Sequence, residues 1–210
     1  MSRRLTAADR SSLIRLASTL PVGSTERRAI LAGLSKSASE YNVPGEHILG
    51  KAIVSGEARV TGEASVSGRA QVAGKARVTG EARVSGSATV AGKAYVGGSA
   101  SVSVYATVID DAQVYGKASV SGAAQVSEHA AVFENAVVSG GASVSGYAKV
   151  SGNARVNGKA EVWGGAKVSG DAVVTGEAKI GGTAVILGGM WDGSEGTIIY
   201  GKWRAPGVPA

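Results

Sequence analysis

The side chains best suited to acid–base chemistry in this sequence stand at a constant interval. His129 follows Asp111 by eighteen residues and precedes Tyr147 by eighteen. One place earlier, Asp110 precedes Glu128 by the same eighteen. A carboxylate held about 5 Å from a histidine, the spacing of neighbouring strands, can fix its tautomer, as a general base requires. The interval has meaning only if the chain returns to the same place after eighteen residues. On that condition Asp110, Asp111, Glu128, His129 and Tyr147 form one candidate surface cluster. An ordinary polar ladder on a solvated edge would carry the same residues. A contact with a neighbouring subunit or a bound cation is a third use.

The element that would position them is a repeat. From Ile48 to Ile186 one unit, Val-x-Gly-x-Ala-x, recurs every six residues with no insertion. Val or Ile occupies all twenty-four first positions, and Gly follows two residues later in twenty units. The exceptions are Val104, Asp110, Glu128 and Glu134. Ala follows four residues after each Val or Ile from Ala52 to Ala184. A repeat this regular decides the fold before local propensity does. In an extended strand, Ala at i−2 and Val at i point to the same side, and the residue between them points outward. Gly falls where the chain must turn, because it accepts positive φ without a Cβ clash. Each unit is therefore a short strand plus a corner. Six residues cannot bury their Val alone, so the units must coil and stack.

The outward residues predict three units per coil. At intervals of eighteen the sequence reads Ser67, Ser85, Ser103, Ser121, Ser139, Asn157 and Thr175. The expected fold is all-β, a single-stranded parallel β-helix shaped as a triangular prism. Its rod would be roughly 37 Å long, at about 4.8 Å per coil. The least regular part is 102–137, where Tyr115 and Phe133 also fall one coil apart. Local rule-breaking on a consistent scaffold is where a function or interface tends to sit.

The units Val54 with Ala58, Val60 with Ala64 and their successors resemble the hexapeptide-repeat proteins. The resemblance is to the Val-Ser-Gly-x-Ala-x type found in bacteria and phages. It covers two thirds of the chain and implies a left-handed parallel β-helix. Handedness rests on the resemblance alone, since crossovers are otherwise right-handed. Bactofilins, with a right-handed helix, have a looser repeat of similar spacing. Enzymes of the hexapeptide family use a histidine base in a cleft between trimer subunits, often beside an inserted loop. This chain has only His47 and His129, and no inserted loop. His47 reads as a linker residue.

Composition narrows the remaining classes. There is no Cys, so disulfides and thiolate metal sites are excluded. Nothing calls for a cofactor or metal. Net charge is +6. One outward column, Arg59, Arg77, Tyr95, Gln113, Ala131, Lys149, Lys167, is basic but broken, and reads as a solvated face rather than a nucleic-acid surface. Mixed outward residues on the strands argue against an ice-binding face. No apolar run approaches the length of a membrane span. Arg3 and Arg4 precede no apolar stretch, so the expectation is cytoplasmic synthesis without a signal peptide. Assembly into a virion or cell-surface structure is compatible with that.

The two ends differ from the rod. Residues 1–46 are expected to form a helical hairpin and linker, with Thr6 and Ser24 as N-caps and Pro21 and Gly23 between the helices. The repeat domain is placed at 47–187. Residues 188–210 are expected to cap the last coil, using Trp191, Ile198, Tyr200 and Trp203, because an open strand edge is a liability. Partner proteins would engage the N-terminal helices or this cap. The expected function is a non-catalytic scaffolding rod, a homotrimer or an end-to-end stack of subunits. The rivals are an acyltransferase-like enzyme using His129 and a filament-forming protein.

Overall fold

A computed structural model describes residues 47–205 together with Val208 and Pro209. The helices expected at residues 6 to 41, and the linker after them, lie outside the described residues. From Ile53–Val54 to Val185–Ile186, a two-residue strand recurs every six residues. The strands form three parallel sheets. The first face starts at Ile53–Val54, the second at Arg59–Val60 and the third at Ser65–Val66. Residues eighteen apart are register partners, as in Ile53 with Gln71, Arg59 with Arg77 and Ser65 with Arg83. The fold is the all-β parallel solenoid read from the repeat, with about eight coils. No α-helix occurs among the described residues.

The alternation within each strand creates the core. Its first residue faces out and its Val faces in. From Ala58 to Ile186 the repeat's Ala and Val or Ile side chains are no more than 1% exposed. Among the described residues no polar or charged side chain is buried. Small side chains suffice because the prism is narrow, and close packing fills it without aromatic bulk. Backbone bonds between coils close the ladder. Arg59 N–H donates to Ala76 O at 2.9 Å, Thr61 N–H to Val78 O at 2.9 Å, and Glu57 N–H to Gly74 O at 2.7 Å. The polar groups of strand and corner are thereby matched coil to coil.

The corners require left-handed backbone. Gly68 has φ +72°, and a Cβ built there would lie 2.8 Å from Gly86 O. The four departures from Gly keep that geometry, with φ of 66° at Val104, 61° at Asp110, 59° at Glu128 and 60° at Glu134. They change the side chain without changing the turn. For β-branched Val104 this conformation is a steric outlier. Val104→Gly is expected to raise stability by about 1 kcal/mol, the relief of strain less the added freedom of the unfolded chain. Glu134→Gly should gain less, because Glu134 accepts the Gly152 N–H. Urea melts of the two variants measure the difference. An equal gain would mean that the carboxylate contributes nothing.

Winding continues beyond the boundary at 187. Met190–Trp191, Thr197–Ile198 and Lys202–Ala205 add a further parallel coil. Val174 pairs with Trp191, Ile180 with Ile198, and Ile186 with Trp203, at intervals of 17, 18 and 17. The hexapeptide is lost while the coil persists, because one shortened corner brings Trp191 into the slot that Val would fill. Val208–Pro209 then turns back antiparallel against Lys202–Ala205. That covers the edge of the second face with a strand of the same chain.

Candidate functional site

The predicted cluster lies along the corner between the first and second faces. Asp110 and Glu128 hold the left-handed turn position, and Asp111, His129 and Tyr147 follow it on successive coils. The corner column continues upward through Lys93, Lys75 and Glu57. Neighbours along it pair in sequence. Glu57 lies 3.7 Å from Lys75 Nζ, Asp111 Oδ1 lies 3.6 Å from Lys93 Nζ, and Asp111 Oδ2 lies 3.9 Å from His129 Nδ1. His129 then stacks on Tyr147, with ring centroids 4.8 Å apart and planes 20° apart. The fold thus brings all five residues together on adjacent coils.

Their geometry is that of an exposed ladder. The Asp111–His129 separation of 3.9 Å exceeds a hydrogen bond, so Asp111 does not fix the imidazole tautomer directly. Asp111 is shared with Lys93, and the His129 side chain is 49% exposed. Such exposed pairs contribute little stability. Three depressions on the surface are lined by other residues. Among the described residues, no group of three His, Cys, Asp or Glu is placed to hold a metal ion.

Asp110 and Glu134 have a use that their residue types alone did not signal. Asp110 Oδ2 accepts the Glu128 N–H at 3.2 Å, and Glu134 Oε2 accepts the Gly152 N–H. Each carboxylate reaches one coil along the axis to a corner amide. Asp tolerates left-handed backbone better than most residues, because its short polar side chain can hydrogen-bond nearby backbone. The other ladders are similar in kind. Asn135 donates to Asn153 at 3.2 Å and Asn153 to Asp171 at 3.0 Å, while Tyr115 and Phe133 stack at 5.2 Å.

Two aromatic placements have a sequence signal. Within the repeat, Gly follows the Val or Ile directly only at Gly97 and Gly181. A Cβ on Gly97 would fall on the Tyr95 ring, and one on Gly181 on the Trp163 ring. Each ring covers a position where Ser or Thr is usual. Tyr95 accepts the Thr79 hydroxyl at 3.1 Å.

At the C-terminal end, Trp191 is 1% exposed, and its indole N–H donates to Gly188 O at 2.8 Å. Trp203 meets it edge to face at 6.3 Å and donates its own N–H to Tyr200 O at 3.0 Å. Ile198 is half-buried, whereas Tyr200 is 72% exposed and does not fold over the prism. These residues, with Glu195, Thr197 and Ile199, line a shallow depression of about 440 Å³. In the turn before it, the Ser194 N–H donates to Asp192 Oδ1 at 2.9 Å and holds that carboxyl below its ordinary value.

Fold and site together define the class as a three-sided parallel β-solenoid with about eighteen residues per coil. No family model, curated protein or solved structure matches the chain. Among the described residues no helix is long and apolar enough to cross a membrane.

Proposed function

We propose that this chain is a non-catalytic scaffolding rod of the left-handed hexapeptide-repeat type, whose ends engage partner proteins. The observation that supports this reading is the uninterrupted ladder. Every hexapeptide from Ile53 to Ile186 supplies one strand, and no loop leaves a face to build a wall around a substrate. Stiffness then follows from register. Each coil is bonded to the next along three faces, and an array of this kind transmits load by nearest-neighbour contacts. The C-terminal depression, lined by Trp191, Trp203 and Tyr200, is a natural end for a protein contact, since buried aromatic anchors dominate such interfaces. A homotrimer, or subunits stacked end to end, is the assembly that fits flat uninterrupted faces. A virion or a cell surface is a setting that fits such a rod.

Light scattering on the purified chain tests the assembly, and a dilute monomer would remove it. The enzymatic rival rests on His129 beside Asp111. His129→Ala is expected to leave folding and assembly unchanged and to affect no acyl transfer. Loss of a measurable acyl-transfer activity in that variant would instead establish the enzyme. Electron microscopy of the pure protein separates the trimer, which predicts discrete particles, from end-to-end stacking and the filament-forming rival, which both predict long polymers.

A further inference from the structure

We propose that the second face binds an oxyanion of the phosphate or sulfate type at its first coils, a ligand that the scaffolding role does not require. Arg59 and Arg77 are direct register partners there, and Tyr95 follows on the next coil. Like charges directly opposite on neighbouring strands repel. Outward strand positions in this chain tolerate Ser, Thr, Gln, Ala and Val, so the repeat does not demand arginine at either site. Lys75 and Lys93 stand beside them on the adjoining corner. With Glu57, the four cations line one depression of about 380 Å³.

The ion pairs around this depression are unequal. Lys75 is 3.7 Å from Glu57 and Lys93 is 3.6 Å from Asp111. Among the described residues, neither guanidinium has a carboxylate within ion-pair distance. Two planar forks carried on adjacent strands, whose backbones lie about 4.8 Å apart, can both donate to one tetrahedral oxyanion. Such a ligand would cancel the repulsion that the register imposes. The two lysines would add attraction from one side. In one dimension the broken basic column reads as a solvated face. In three dimensions its first two members share a concavity with two further cations.

The test is thermal unfolding of the full chain at fixed ionic strength, with sodium phosphate replacing sodium chloride. A ligand that binds only the folded state raises the midpoint in a saturable way. Phosphate also stabilises proteins generally, so the readout is the difference between variants. Arg59→Gln/Arg77→Gln should melt no earlier than the parent in chloride and should lose the saturable rise. Lys149→Gln/Lys167→Gln removes the other like-charge register pair of this face, which does not line the depression, and should keep the rise. An equal rise in the parent and the double arginine variant overturns the proposal, as does no rise above chloride. Calorimetric titration with dextran sulfate separates the sources. Binding about tenfold tighter than that of inorganic phosphate, and lost in the arginine variant, assigns a sulfated or phosphorylated polymer. Binding of phosphate alone assigns a small molecule.

Discussion

Val120→Asp is expected to break the rod near its middle. Val120 is fully buried, with Val102 before it and Val138 after it as register partners on the third face. A carboxylate there enters an interior of Val and Ala, which among the described residues has no buried polar side chain to receive it. An unpaired buried charge destabilises by about 3–5 kcal/mol or is neutralised by taking up a proton. In a domain of this size that lowers the midpoint by roughly 10 °C. Because coils interact with their neighbours only, the damage should be centred there, and the ends should outlast the middle. Circular dichroism gives the midpoint, and amide exchange gives the location. Two controls isolate the cause. Val120→Ala removes two methyl groups and should cost about 2 kcal/mol. Ser119→Asp places the same charge one residue away on the outer face and should shift stability by no more than about 0.5 kcal/mol. A Val120→Asp protein that melts with the parent would mean that this side chain does not face a dry interior.

Trp191→Ala is expected to loosen the last coil. The indole fills the interior slot above Val174, meets Trp203 at 6.3 Å and satisfies Gly188 O at 2.8 Å. Its removal leaves a cavity much larger than any that a Val would leave, with a local cost of about 3–5 kcal/mol. The coil at risk is the terminal one, so its loss need not spread down the rod. Exchange protection should fall in 188–205 while the coils around Val120 keep theirs. Tyr200→Ala is the matched control, because Tyr200 is 72% exposed and should leave protection unchanged. Uniform protection in Trp191→Ala would mean that the end is closed by something other than this tryptophan.

Much of the fold is legible in the residues themselves. A six-residue period with Val and Ala two apart leaves one side of an extended strand apolar, and only coiling buries it. Gly at the third position then marks all but four of the corners. The column Asp111, His129, Tyr147 could be written down from the interval of eighteen, because the coil is regular enough for sequence distance to act as spatial distance. The cap could not be read in the same way. Trp191, Ile198 and Trp203 follow Ile186 at unequal intervals, so no period announces that they occupy Val slots.

What the sequence determined is periodic and local: strand, corner, inward and outward. Tertiary structure alone decided how far apart the stacked side chains finally lie. It set Asp111 at 3.9 Å from His129, beyond a hydrogen bond, and turned Asp110 and Glu134 to amides of the next coil. It also put Arg59 and Arg77 into one depression with Lys75 and Lys93. The physical reason is that burial is binary along a strand and follows from residue order. The reach of an exposed polar side chain depends on rotamers and neighbours from several coils, which residue order does not specify.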